Sequence, residues 1–302
     1  MGAPTNRIKG MEKRNIDEII ATIEKIPTLP EVATEVLAAL NEEEVHIDKI
    51  TRLIESDPAL ATQILRVANS PFSGTITSVS SVNHAIVILG LGEVKALLLV
   101  FAVQKFFAQA EGELYYRKRI WHHSIICGHI ARLLGRHYQC DADDTLFLSA
   151  LIHDVGKIVA DQYFHPEFRR VIDYIENHQT TFSKAEKEIL GVTHYQIGAK
   201  LLQQWSFPRQ VIMQVFHHHA PWQEQNFSKG AMLVYLANIL AKLAGFPCLS
   251  KEKSINIEHF AASRAVDLLN KNGFELDRDT LEKLLVQINE TLALEGDHDI
   301  FS

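Results

Sequence analysis

Apolar residues recur at three- and four-residue spacing through most of the chain, but in short blocks cut by prolines and glycines. That pattern favours helices and limits their length. Residues 17–25 predict a short helix that stops before Pro27, whose ring disfavours helix at Ile26. Residues 30–40 predict another, with Pro30 in its first turn. Residues 48–55 follow, closed by Asp57-Pro58; then 59–69, with Leu60, Ile64 and Val67 on one face and a stop at Ser70-Pro71; then 82–89 and 92–109. The one β-branched run, 74–79, is too short to found a sheet. Short helices with short links predict a compact bundle rather than a coiled coil. His46 and His84 are isolated in this half and read as surface or packing residues.

The second half carries its histidines on apolar faces. Residues 113–138 predict a long helix on which His123 shares a face with Ile120, Ile126, Cys127 and Ile130. Residues 140–157 predict the next, with Asp141 or Asp143 as N-cap. Along it Leu146, Ala150, His153 and Lys157 fall on one face. Neighbouring side chains on a helix point about 100° apart, so His153 and Asp154 converge only near a helix end. Gly156 marks that end. Residues 166–177 read as a solvated helix, and Ser183 with Glu186 as a capping-box start. His194 lines up with Ile197 and Leu201, and Gly198 permits close approach of another element. In 208–219, His218 continues the stripe of Val211 and Val215, and His219 that of Ile212 and Phe216. Residues 229–244 place Val234, Asn238 and Ala241 together. Residues 255–269 (Ala261, Ala265, Leu268) and 279–294 (Leu281, Leu284, Leu285, Ile288) form a helical hairpin around Asn272-Gly273, packed on the body or used in self-association. The acidic stretch 295–302 reads as a frayed tail.

Composition narrows the function classes. A net charge of −7 over 302 residues argues against a general nucleic-acid binder, which needs a basic face. No apolar run approaches the roughly 18 residues needed to cross a bilayer, and no signal-peptide core is read at the start, so no membrane partner is expected. Residues 1–10 are polar and are left out of the fold reading. Three cysteines, Cys127, Cys140 and Cys248, form no close pair. A disulfide framework or thiolate zinc site is therefore not expected, and a reducing cytoplasm fits. With 15 histidines, any metal site is expected to use nitrogen and oxygen ligands.

Each histidine alone is as well explained by a core imidazole bonded to a carbonyl. Two adjacent inward rings, His218 and His219, need polar partners once buried, either a metal or carbonyl oxygens. Lys157 could hold a phosphate or metal-bound anion, or simply complement a helix C-terminus.

Three stretches, IPTLP at 26–30, DPALATQILRVANSPFSG at 57–74 and AIVILGLGEVKALLL at 85–99, resemble the HDOD family, output-domain relatives of HD-type metal-dependent hydrolases. The resemblance covers roughly residues 19–245. It implies an all-α fold, with a helical N-terminal half, over 12–111, packed on an HD-like half, over 112–248; the C-terminal helical extension, 249–302, lies beyond the resemblance and rests on its own apolar spacing. It implies His123, His153, Asp154, His194, His218 and His219 as the metal ligands. The position that resembles the closing Asp of metal-binding HD proteins is Asn238 here, a candidate ligand contact that brings no negative charge. Asp154 would then be the one anionic ligand.

Two readings follow. The first is a signal-transduction output module with a degenerate HD site and little or no turnover. Its partner would be a signalling protein or a small phosphorylated ligand, with homo-oligomerisation an option. The alternative is a metal-dependent phosphohydrolase acting on a nucleotide or phosphodiester, with Asp154 and Lys157 as catalytic residues and an ion activating water. Asn238 and the lack of a GYP-like loop after His219 weigh against cyclic dinucleotide cleavage. The expected cofactor is a divalent transition metal, iron, manganese, zinc or nickel, as one ion rather than two.

Overall fold

The computed structural model describes residues 16–23, 25, 26, 34, 35, 47–70, 73, 75, 78–108, 114–140, 144–223 and 228–295. Most of the helix expected over 30–40, His46, the cap candidates Asp141 and Asp143, and the tail after 295 lie outside them. Among the described residues the chain is helical throughout and contains no strand.

The first half comprises α1 (Ile16–Ile23), α2 (Ile47–Glu55), α3 (Pro58–Ala68), α4 (Val82–Leu89) and α5 (Leu91–Ala108). Its boundaries are chemical. Asp57 caps α3, its Oδ1 accepting from the backbone N–H groups of Ala59 at 3.0 Å and Leu60 at 3.3 Å. Past the other end of α3, Asn69 Nδ2 donates to Leu65 O at 2.7 Å and to Val79 O at 2.8 Å, while its Oδ1 accepts from Val79 N at 2.8 Å. One side chain thus satisfies a loose helix carbonyl and anchors the connection to α4. Ser81 caps α4 through His84 N.

The second half comprises α6 (Leu114–His137), α7 (Asp144–Ile152), α8 (Val155–Tyr163), α9 (His165–His178), α10 (Phe182–Ile189), α11 (His194–Gln204), α12 (Arg209–His217) and α13 (Ser228–Leu243). The single helix expected over 140–157 is two, broken at His153-Asp154. Gly156 does not end a helix; it lies in the first turn of α8. A Cβ there would sit 1.9 Å from His194 O, so the crossing of α8 and α11 requires its missing side chain. Gly198 completes the crossing from the α11 side, where a Cβ would come within 3.3 Å of Gly156 N.

Helix α7 is the hub. Every residue from Leu146 to Ile152 is buried, and it packs on α5, α6, α12 and α13. A helix buried on every face, with Ser149 the one polar residue from Leu146 to Ile152, belongs in a protein interior. One apolar core runs from Ile19, Ile54 and Leu97 through Leu151 and Phe168 to Leu249. A second joins α6 (Ile126, Ile130, Leu134) and α13 (Leu233, Leu236, Leu240) to the C-terminal helices. These are α14 (Ile257–Ala261), α15 (Arg264–Asn270) and α16 (Arg278–Glu295). The first arm of the expected hairpin is broken because Ser263 caps a new helix through Val266 N. The register restarts there: Val266 and Leu269 are fully buried, while Ala261 and Ala265 of the expected face pack partly buried against the same core. On the second arm Leu281, Leu284 and Ile288 are buried against the body, as their spacing predicts. No single helix among the described residues is long and apolar enough to cross a membrane.

Candidate metal centre

The break between α7 and α8 creates the site. Asp154 has φ −100° and ψ 8°, and its side chain makes no cap to α8. It turns inward instead, with relative exposure of 0%. Around it come His153 from the same turn, His123 from mid-α6, His194 from the start of α11, and His218 and His219 from just past α12.

The imidazole Nδ1 atoms are tied down. His123 Nδ1 donates to Phe246 O at 2.6 Å, His153 Nδ1 to Ala150 O at 2.7 Å, and His218 Nδ1 to Val215 O at 2.6 Å. His194 Nδ1 donates to Glu186 Oε2 at 2.7 Å, and the His194 backbone N–H meets the same oxygen at 2.9 Å. Carbonyls cannot donate, so a neutral ring held this way carries its proton on Nδ1 and a lone pair on Nε2. Carbonyl pinning and convergence, which the sequence posed as alternatives, therefore coexist on different nitrogens of one ring.

The Nε2 atoms meet at Asp154. Its Oδ1 lies 3.3 Å from His194 Nε2 and 3.9 Å from His218 Nε2; its Oδ2 lies 3.3 Å from His153 Nε2 and 3.8 Å from His123 Nε2. His194 Nε2 is 3.4 Å from His218 Nε2 and 3.0 Å from His219 Nε2. His194 and His218 both hold their protons on Nδ1, so their lone pairs face each other, which a cation between them would relieve. His153 Nε2 and Asp154 Oδ1 are buried without a hydrogen-bond partner. Lone pairs converging from rings oriented by carbonyl or carboxylate acceptors are what a metal-ligating histidine set requires. The cluster fits an ion on these grounds.

Lys157 is also here, in the first turn of α8. Its Nζ lies 2.6 Å from Asp154 Oδ2, 3.5 Å from Cys248 Sγ and 4.4 Å from the centre of the Phe182 ring. The alternative of a Lys serving a helix C-terminus is excluded, since it sits in a first turn and is buried. Burial disfavours both charges, but each more than compensates the other: Lys157 is raised above its ordinary value, and Asp154 is held well below the usual carboxylate range by His153 and Lys157. Burial first, then neighbouring rings, hold His218 and His219 well below the ordinary imidazole value.

All the singled-out residues but one are thus brought together. None of these contacts involves Asn238, which is buried on α13 with its Oδ1 lacking a hydrogen-bond partner. Sequence reasoning missed three contributors. Glu186, assigned to a capping box, orients His194 instead, and Thr181 precedes its helix. Cys127, one turn past His123, brings Sγ to 3.4 Å of His123 Nε2. Cys248 Sγ lies 3.2 Å from Asp154 Oδ2. Sulfur therefore borders a cluster expected to offer only nitrogen and oxygen. The signal for Cys127 was its four-residue spacing from His123; Cys248 comes from a distant loop with no local pattern to announce it.

An all-helical bundle that gathers imidazoles around a buried His-Asp turn defines the class of protein. The family follows from comparison: residues 26–221 match the HDOD domain, and the chain belongs to the HDOD family. It is 26% identical over 223 residues to an uncharacterized protein of Treponema pallidum (strain Nichols), covering 72% of this chain and 42% of that one. It is 28% identical over 102 residues to the uncharacterized YuxH of Bacillus subtilis (strain 168), covering 34% of this chain and 24% of that one. The chain thus spans less than half the length of these curated relatives. Among solved structures, an HDOD domain protein of unknown function from Geobacter sulfurreducens superposes with a TM-score of 0.78 at 21% identity, covering 94% of this chain and 96% of that one. A candidate signal-transduction protein from Marinobacter aquaeolei VT8 gives 0.67 at 25% identity, covering 96% of this chain and 63% of that one.

Proposed function

We propose that this chain is a regulatory output module whose HD-type cluster binds a divalent transition metal and turns over little or no substrate. The observation that carries this reading is the Lys157–Asp154 pair. A hydrolase needs a cation free to meet an incoming phosphate. Here Lys157 Nζ is committed to Asp154 Oδ2 at 2.6 Å, and both side chains are at most 2% exposed. His123, His153, His194 and His218 are buried to the same degree, behind a segment that carries Phe246 and Cys248. Sealing favours a structural or sensing ion over one that must exchange substrate. The description of the Marinobacter structure as a candidate signal-transduction protein is consistent with this reading.

The ion would be held by Asp154 and imidazoles from the set His123, His153, His194, His218 and His219. When bound, it supplies positive charge and Lewis acidity. The chain's own residues orient His123, His153, His194 and His218, through Glu186 and the three carbonyls, and bury them, while His219 stays partly exposed at the edge of the cluster. Iron, manganese, zinc and nickel all suit imidazole with carboxylate, and one ion is proposed. The alternative, phosphodiester hydrolysis using Asp154 and Lys157, is favoured by the converging Nε2 atoms.

Elemental analysis of protein purified without added metal, paired with a generic phosphodiester assay, tests the reading. The expected result is near-stoichiometric metal and hydrolysis at background. Absence of metal, with no uptake on reconstitution, defeats the binding claim. Hydrolysis that His153→Ala abolishes defeats the claim of little turnover.

A further inference from the structure

Asp154 divides the cluster into two unlike ends. Its Oδ1 faces nitrogen only, from His194 and His218. Its Oδ2 faces His153, His123, Lys157 and the thiol of Cys248. A second thiol, Cys127, adjoins His123 on its other flank, and both cysteines are buried. Ligand atoms of His123, Cys127 and His153 lie within 4.8 Å of one another, as do those of His123, Asp154 and Cys248. We infer that this end is a thiophilic cation position, at which Cys127 and Cys248 ligate as thiolates beside His123 and His153 and select zinc over manganese. The inference rests on the reading above that the cluster holds metal, and it names the chemistry of one end.

Charge balance supports it. Lys157 already cancels the single negative charge of Asp154 across 2.6 Å. A divalent ion among neutral imidazoles would then leave two positive charges in a buried site, which is costly. Two thiolates cancel them. On binding, each thiol passes its proton to solvent, the ion keeps its oxidation state, and nothing is oxidised or reduced. Lys157 Nζ, 3.5 Å from Cys248 Sγ, stands ready to support the thiolate. His153 Nε2 is buried, lacks a hydrogen-bond partner and is aimed at the same space. Softness decides the ion, since thiolate with imidazole suits zinc, whereas manganese prefers oxygen. Cys248 lies outside the residues matched to the HDOD domain, so this sulfur is not part of the pattern that places the chain in its family.

Cobalt(II) substitution of the full chain tests this directly, because cobalt bound to thiolate shows a near-ultraviolet charge-transfer band while its visible d–d bands report binding by any ligand. The expected result is both sets of bands, with the charge-transfer band roughly halved in Cys127→Ser and in Cys248→Ser, lost in the double variant and unchanged in Cys140→Ser. As a second measurement, zinc titration in weak buffer should release about two protons from wild-type thiols and close to none from the double variant. Visible bands without charge transfer, or a charge-transfer band indifferent to both substitutions, would overturn the inference while leaving metal binding intact. Failure to bind cobalt or zinc at all would overturn both.

Discussion

At the scale of single residues, the centre depends on a missing side chain and a buried ion pair. Gly156→Ala would place a methyl group 1.9 Å from His194 O, against backbone that cannot swing aside. We expect a loss of about 3 kcal/mol or more in urea-induced unfolding, at the top of the range for overpacking. A wild-type midpoint would contradict the α8–α11 crossing. Lys157→Met keeps the bulk but strands the Asp154 charge in the interior. The expected loss is about 3–5 kcal/mol, typical of breaking one partner of a buried pair. Asp154→Asn in the same background should recover much of it; no recovery would mean that the loss does not come from a stranded charge. The sequence pointed to His153, Asp154 and Lys157 but misjudged Gly156 as a stop. A glycine that ends a helix and one that admits a neighbouring backbone leave the same local trace, and only the position of His194 tells them apart.

At the scale of elements, the ligands are held by what lies behind them. Glu186 on α10 receives both the ring and the backbone N–H of His194, and so fixes the ring that faces Asp154, His218 and His219. Glu186→Ala should weaken zinc affinity roughly 10- to 100-fold, as loss of an orienting partner does, with helix content in circular dichroism unchanged. Unaltered affinity would show that His194 needs no such support. The helices were legible because apolar spacing survives averaging over a dozen residues. Their breaks were less so. His153-Asp154 interrupts a pattern that stays apolar on both sides, and Ser263 restarts a helix inside a continuous amphipathic stretch. Glu186 lay three residues after Ser183, so the local capping rule claimed it before the distant His194 could.

At the scale of the whole molecule, two predictions concern cohesion. The second core is shared between α6, α13 and the three C-terminal helices, with Phe260, Leu269, Phe274, Leu281 and Ile288 all buried. A chain cut after residue 253 would expose α6 and α13 to water and should be recovered insoluble, or soluble with a strongly lowered melting temperature. A soluble fragment that melts like the full chain would mark the extension as dispensable. The other prediction is for chelator-treated protein under acid. His218 and His219 titrate well below 6.5 in the fold, by burial first and by neighbouring rings second, but near 6.5 when unfolded. Between those values the unfolded chain binds more protons, so stability falls as pH drops below about 6.5. Asp154, depressed in the fold, adds a further loss only below its ordinary carboxylate range. Melting temperature should therefore decline from pH 7.5 to 5.5; a flat profile would mean these rings are not sealed from water. The apolar spacing that made a helical bundle legible says nothing of how the cores divide, because assignment to one core or the other depends on contacts between residues far apart in the chain.

The nine residues of α7 make a rod about 13 Å long. One end leads straight into His153 and Asp154, and along its length it is wedged between α5 of the first half and α6, α12 and α13 of the second. A body packed on every side cannot bend or tilt alone. The turn that carries His153 and Asp154 is thereby braced through α7 against the amino-terminal helices as well as against its own half, and the stiffness of the centre is borrowed from the joint between the two.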